Sequence, residues 1–314
     1  MDGNNPKSIT ENASLTSTGN LPVTVIILTL NEEENLPKAI ESVQSWVDGG
    51  VFVVDSCSVD RTVDVALDHG VGIVQRPFTN YGDQWNWALE RLPVKTPWVL
   101  KLDADEKVSA ELREEMKGLL YSDPLENAFI IPIRLWFMGK RMHPKIYAAR
   151  LWRKGKARFS QVLVNEHLLV AGATGHLRSG IDHMDTPNLH RWYEKQNRYS
   201  TMEAIMRVKG DPLAAKPSLF GTTLERRMFF KKIFYRIPFR YQLKWLDEAF
   251  RRRALLDGKI GLDYIRLRIE HYRATELKVK EMRLTGKIPE LPKAPVGSFD
   301  PRVLSSALQR SVSP

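Results

Sequence analysis

The chain has 314 residues, 43% hydrophobic and 27% charged, which is the balance of a folded globular protein and excludes a largely disordered one. Its single cysteine, Cys57, leaves no partner for an intrachain disulfide and fits a reducing cytoplasm. No apolar run approaches the roughly 20 residues that span a bilayer, and the polar start "MDGNNPKSITENASLTSTGN" has no signal-peptide core, so residues 1–20 are expected to be disordered.

The formal net charge of +10 is unevenly placed. Residues 1–133 hold 10 Lys and Arg against 21 Asp and Glu, whereas residues 134–314 hold 37 against 16. An acidic half joined to a basic half suggests two tasks, and a basic region seeks phosphates in nucleic acid, anionic lipid or a diphosphate substrate.

In chain order, "VTVIILTL" (23–30) is a short β-branched run and reads as a buried strand. "NEEENLPKAIESVQSW" places Leu36, Ile40, Val43 and Trp46 at helical spacing, with acids in the first turn where the helix dipole favours them. "GGVFVVD" is a second strand, and "SVDRTVDVALDHG" a second helix stopped at Gly70. "VGIVQR" is a third strand, followed by the helix "GDQWNWALERL" with Asp83 as its expected N-cap. "PWVLKLD" is a fourth strand, and a fourth helix starts at Ser109. This alternation predicts an α/β fold with a mostly parallel sheet and helices on both faces, and such sheets bind ligands beyond the carboxyl ends of their strands.

Polar residues gather at those ends: Thr29, Asn31 and Glu32; Asp55, Ser56 and Ser58; Asn80 and Asp83; Asp103 and Asp105. Strand ends carry polar turn residues in any protein, but four such ends together point to a site. No GxGxxG or GxxxxGK[ST] loop follows the first strand, which argues against a dinucleotide oxidoreductase or a P-loop NTPase. A bound phosphate then needs another holder. Two carboxylates at i and i+2 after a buried strand, as in "VLKLDADEK", can hold it through Mg2+ or Mn2+, which prefer oxygen ligands and bridge carboxylates to phosphates.

The order "TLNEEENL", "VVDSCSVDRT", "NYGDQWNWAL", "LKLDADE", continued in "VNEHLLV" and "GIDHMDTPNLHRWYEKQNRYSTMEA", resembles the inverting family-2 glycosyltransferases of the GT-A fold over about residues 22–208. It is most similar to the bacterial branch that builds lipopolysaccharide cores, including β-1,4-glucosyltransferases, and exopolysaccharides. The resemblance implies that Thr29, Asn31 and Glu32 line a nucleotide pocket, that Asp55 meets the uracil or ribose with Ser56 beside it, and that Asp83 closes over the base or sugar. It implies ribose or metal contact for Asp103, metal contact for Asp105, a metal or diphosphate contact for His183, and the role of catalytic base for Glu166. Trp85 departs from the pattern, since relatives often carry a basic residue there.

An inverting transfer needs a base for the acceptor hydroxyl and positive charge on the departing diphosphate. Glu166, in "QVLVNEHLL", sits in an apolar strand-like run where its pKa would tend upward; the plainer reading pairs it with a cation such as Arg158. His183 precedes an expected helix start at Thr186 and Pro187, where a phosphate gains from the dipole. Arg191, Lys195 and Arg198 share one face of that helix, either as a solvated face or with Lys195 or Arg198 reaching the diphosphate.

Between these lies "IPIRLWFMGKRMHPKIYAARLWRKG", in which Arg134, Trp136, Lys140, Arg141, His143, Arg150 and Trp152 interleave aromatics and cations. It suits a sugar or phosphorylated acceptor, a single-stranded nucleic-acid groove, or merely a surface hairpin. Further on, Pro238 breaks one helix, Gly258 ends a second and a third runs from about Leu262. Phe229, Phe230, Ile233, Phe234 and Ile237 among Arg and Lys read as a basic amphipathic element that meets either a membrane surface or the rest of the protein.

The expected organisation is a GT-A catalytic domain over residues 21–210, with a nucleotide-binding half (21–125) and an acceptor-binding half (126–210). A basic helical extension over 211–285 and a loosely ordered tail over 286–314 follow. The expected activity moves a hexose, glucose favoured, from a UDP-sugar to a lipopolysaccharide-core or lipid-linked saccharide with inversion, using Mg2+ or Mn2+. The expected place is the cytoplasmic face of the bacterial inner membrane, bound peripherally; a homo-oligomer is left open and nucleic acid is not the expected partner. One alternative is a sugar nucleotidyltransferase, although "NEEEN" stands where its basic phosphate loop would be. The other is a non-catalytic RNA- or membrane-binding protein, which leaves the ordered acids unexplained.

Overall fold

The computed structural model describes residues 20–160, 167–184, 188–210, 216–221, 223–290 and 295–312. The first half alternates as its pattern requires: β1 (Val23–Thr29), α1 (Leu36–Glu41), β2 (Val51–Asp55), α2 (Thr62–Asp68), β3 (Gly72–Gln75), α3 (Tyr81–Arg91), β4 (Trp98–Asp103), β5 (Glu106–Val108) and α4 (Ala110–Tyr121). Strands β3, β2, β1 and β4 lie side by side and parallel. The unbroken apolar run of β1 is explained by its central place: Val23, Val25, Ile26 and Ile27 are fully buried, some facing the helices α1 and α2 and some facing α3. A strand covered on both faces cannot alternate polar with apolar residues.

Helix boundaries differ from expectation where a better cap is available. The first helix is shorter than its apolar spacing suggests, because Pro37 sits at its start and Ser42 ends it, after which Gln44–Trp46 forms a single tight turn. Asn80, not Asp83, caps α3, its side chain accepting from the Asp83 amide at 2.9 Å. Ser109 caps α4 as expected.

Beyond α4 the sheet changes direction. A long hairpin of β6 (Ala128–Phe137) and β7 (Lys140–Arg153) places β7 antiparallel beside β4. A short ribbon of β8 (Ala157–Phe159) and β9 (Leu168–Val170) follows, then β10 (Thr174–His176) and β11 (Ile181–His183), both parallel to β6. The order is β3-β2-β1-β4-β7-β6-β11-β5, with β10 also on β6. The interleaved aromatics and cations of the hairpin divide between surface and interior, with Lys140, Arg141 and His143 exposed. Trp152 is in the core, Arg150 is buried, and Arg134 is tied to Asp182 by two bonds of 2.8 and 2.7 Å.

Helix α5 (Leu189–Lys209) begins after Asn188, whose side chain accepts from the Arg191 amide; the expected cap at Thr186 lies outside the described residues. The basic region then forms α6 (Thr223–Phe234), α7 (Arg240–Leu246), a widened π-type turn at Asp247–Arg251, and α8 (Gly258–Thr285). The expected break at Pro238 is there. Gly258, however, opens the last long helix four residues before Leu262, its φ of +66° making the corner. Helices α5 and α8 lie together, with Ala204 packed against Val279 and Met282.

The tail expected to be loosely held packs down instead. Helices α9 (Pro301–Leu304) and α10 (Ala307–Val312) cover β3, burying Val303 and Val312 in the two halves of the core. Gln309 donates to and accepts from the backbone of Gln75, and the Asp300 amide donates to the Gln75 side chain at 2.6 Å. Two buried valines and a few well-placed amides hold a segment whose Pro and Ser content suggested otherwise. Among the described residues no helix is long and apolar enough to cross a membrane.

Glu203 joins α5 to its neighbours, with Lys231 of α6 at 3.1 Å and His271 of α8 at 3.7 Å. Burial opposes its ionisation, but His271 and Lys231 prevail and lower its pKa to about 2 from 4.5. A carboxylate more acidic folded than unfolded contributes stability above its unfolded value and loses it as pH falls through its folded one. Thermal unfolding should therefore show Glu203→Gln to be less stable than the parent at pH 7, by about 3 kcal/mol, with the gap closing between pH 4.5 and 2.

Candidate active site

The parallel strands end together. Thr29 stands beside Asp55 in the β1–β2 register, and Leu28 stands beside Asp103 in the β1–β4 register. Asp55 and Asp103 therefore flank β1 at one level, about 10 Å apart by two strand spacings.

On the β2 side Asp55 is fully buried and its carboxylate is saturated. It accepts from Thr29 Oγ1 at 3.1 Å, Ser58 Oγ at 2.5 Å, the Ser58 amide at 2.9 Å and Gln75 Nε2 at 2.9 Å. This organises the loop after β2 and leaves no lone pair free without an exchange of partners. Asn31 takes a left-handed φ of 58°, which asparagine tolerates, and grips the same loop: its amide donates to Ser58 Oγ and its side chain accepts from the Val59 amide. Its Nδ2 donates to the Pro295 carbonyl, so the C-terminal segment crosses this rim. The Glu32 amide donates to Thr62 Oγ1, and Glu32 accepts from Asn35. Ser56 is buried, 3.5 Å from Gln84 Nε2. Asp83 pairs with Arg76 at 2.7 Å and accepts from Thr79; that hydrogen bond first, then Arg76, lowers its pKa.

On the β4 side the cluster that the sequence makes look so repulsive is compensated from within. Arg150, on β7, is buried and its Nη2 lies 2.7 Å from Asp103 and 2.5 Å from Glu106. Glu106 in turn accepts from the Asp103 amide at 2.9 Å, closing the turn between β4 and β5. Desolvation opposes ionisation of Asp103, but Arg150 and Lys101 outweigh it and hold its pKa below the usual range. Burial pushes Glu106 up to about 7, with Arg150 opposing.

Asp105 has other partners. Its carboxylate is 3.4 Å from His183 Nδ1 and 3.5 Å from Lys195 Nζ, so β11 and α5 each bring one group to it. His183 is also 3.7 Å from Glu106. Arg198, one turn beyond Lys195, is exposed and does not join the cluster. Glu166 lies outside the described residues.

Trp85 is a core residue. Its ring is stacked with Phe159 at 5.2 Å, and the buried Lys101 ammonium lies 4.8 Å from its centroid and 3.8 Å from Asp103. The cation against Trp85 is thus Lys101 of β4. Lys101 and Gln75 were not singled out as site residues, whereas Ser58 stood among the strand-end residues, Glu106 in the acid run and Arg150 in the basic hairpin, each without its pairing. Only Ser58, in "DSCSVD", and Glu106, in "DADE", carried a local signal; the others are identified by sheet register alone.

Among the described residues no three His, Cys, Asp or Glu side chains stand close enough to hold a metal by themselves. Asp105 and His183 offer two donors side by side. That set fits a magnesium or manganese ion taking its remaining ligands from water and a substrate phosphate.

The chain matches the glycosyl transferase family 2 model over residues 24–181. An uncharacterized glycosyltransferase of Rickettsia felis is 31% identical over 228 residues, covering 68% of this chain and 78% of that one. The lipopolysaccharide core biosynthesis glycosyltransferase LpsC of Rhizobium meliloti is 28% identical over 227 residues, covering 69% and 82%. A crystal structure of S. aureus TarS 1-349 in complex with UDP overlaps 84% of this chain and 92% of that one at 16% identity. Its TM-score of 0.39 is too low for positions to be carried across.

Removing Arg150 should strand Glu106 as an uncompensated buried acid. Urea denaturation of Arg150→Met is expected to show a loss of about 3–5 kcal/mol. The double variant R150M/E106Q should recover part of that loss, since the second change removes the stranded charge.

Proposed function

Because the chain belongs to glycosyl transferase family 2, we propose that it transfers a hexose, glucose favoured, from a UDP-sugar to a lipopolysaccharide-core or lipid-linked saccharide, with inversion and with Mg2+ or Mn2+. The observation that carries this is the convergence of Asp105, His183 and Lys195 from three elements on the rim of the parallel strands. An acid for a metal, an imidazole beside it and an ammonium at the same point are what a departing diphosphate needs. The part of LpsC in lipopolysaccharide core biosynthesis supports the acceptor class.

In this reading Asp105 and His183 would hold the ion, whose chemistry would be to neutralise charge on the leaving diphosphate. Lys195 would contact a diphosphate oxygen, with Arg198 further along the same helix. Asp103, held ionised by Arg150 and Lys101, would accept from the ribose hydroxyls. Thr29, Asn31, Glu32, Asp55, Ser56 and Asp83 would shape the base and ribose pocket, Asp55 chiefly by fixing the loop that Ser58 closes. Glu166 would take the proton from the acceptor hydroxyl.

Two measurements test these roles. Asp105→Ala should lose turnover and the manganese-dependent part of UDP affinity, read by calorimetry with and without the ion; unchanged manganese-dependent affinity would remove the metal role. Glu166→Gln should bind UDP-sugar normally but turn over slower by about 100-fold or more; a variant keeping most of its rate would end the assignment of the base.

A further inference from the structure

The helical region carries a surface that the transfer reaction does not use. Phe239, Leu243, Leu246 and Phe250 follow one another at steps of four, three and four, so they form one stripe along α7 and the π-type turn. All four are exposed, Phe239 at 75% and Phe250 at 63%, and Leu256 extends the patch at 63%. Large apolar side chains this open, in a row, mark a contact surface.

Along this stretch of chain the exposed charge has one sign. From residue 236 to residue 260 the exposed charged side chains are Arg236, Arg251, Arg253 and Lys259, and none is acidic. The three acids of this stretch are turned inward. Glu248 and Asp257 are buried, and Asp247 is held by Lys244, Arg251 and Arg252. The expected Phe-rich element, α6, does not present its face in the same way. Its Phe234 packs on Tyr272 with ring centroids 5.2 Å apart, and its Lys231 is bound to Glu203.

We propose that the stripe of α7 and its flanking cations dock on an anionic lipid bilayer, the apolar side chains entering the headgroup boundary and the arginines meeting lipid phosphates. An apolar row whose own stretch of chain exposes four cations and no acid is complementary to that surface. The dock is not a loose appendage. Behind it Asp257 accepts from the His143 amide at 2.9 Å and is 2.8 Å from His143 Nδ1, and Ala249 and Ala254 pack with Phe137, Met142 and Trp192. Trp192 is on α5, one turn before Lys195. A bilayer bound at α7 would thus hold the site at a set orientation to the lipid surface. The binding itself does not rest on the transferase reading; only its use for a lipid-linked acceptor does.

The experiment is co-sedimentation of the full chain with vesicles of phosphatidylethanolamine and phosphatidylglycerol, and with phosphatidylcholine vesicles as the neutral surface. The parent should bind the anionic vesicles and not the neutral ones. The triple variant L243Q/L246Q/F250Q and the double variant R253Q/K259Q should each lose about tenfold or more in partitioning, with unchanged melting temperature because all five side chains are exposed. Binding that survives both variants, or no binding by the parent, overturns the proposal. So does sedimentation velocity showing a dimer that the triple variant dissolves, since the stripe would then join two copies of the chain. UDP-sugar hydrolysis without vesicles is measured alongside. Hydrolysis without vesicle binding removes only the dock, and vesicle binding without hydrolysis removes only the transferase reading.

Discussion

The contact on which the site depends is Arg150 between Asp103 and Glu106. Three carboxylates within four residues could not share a sheet edge if all faced the same space, because their repulsion would splay the turn. Arg150 arrives from an antiparallel strand and takes two of them, and the Asp103 amide is bound by Glu106. The third, Asp105, is thereby left to face His183 and Lys195. The reversal of strand direction at β7 is thus more than a topological detail. The antiparallel register sets Trp152 beside Val99 and Leu151 beside Leu100, so Arg150 follows along the later part of β4, within reach of Asp103.

The site is assembled from parts far apart in the chain. Strands β1 to β4 supply one wall, β11 and α5 the other, and α5 is braced by α8 and by the apolar cluster at the tip of the β6–β7 hairpin. Lys195 and His183 owe their positions to packing many residues away, so changes in the helical region can reach the rim through α5 without touching it.

Much of this was readable in the residues. Buried parallel strands declare themselves as unbroken apolar runs, as in Val23–Ile27, and the acids at their ends show where the ligand side lies. The motifs that carry the family resemblance are local, so the resemblance points to Asp55, Asp103, Asp105 and His183, and the fold brings Asp105 and His183 together. What could not be read was pairing. Lys101 looks like an ordinary strand lysine until Trp85 and Phe159 are folded over it, and Arg150 looks like one cation in a basic hairpin until register sets it against β4. The cap of α3 was misplaced for a related reason: Asn80 and Asp83 are both competent, and the backbone path alone decides between them.

The packing of α9 and α10 on β3 sets the order in which the protein can be completed. Strand β3 is the outer strand of the sheet, and an uncovered outer strand invites pairing with another chain. Its cover, including Val303, Gln309 and Val312, is made more than 220 residues later. During synthesis the first half of the sheet therefore emerges before the helices that cover its edge. The closing step of folding is the return of the last helices to the first part of the chain made.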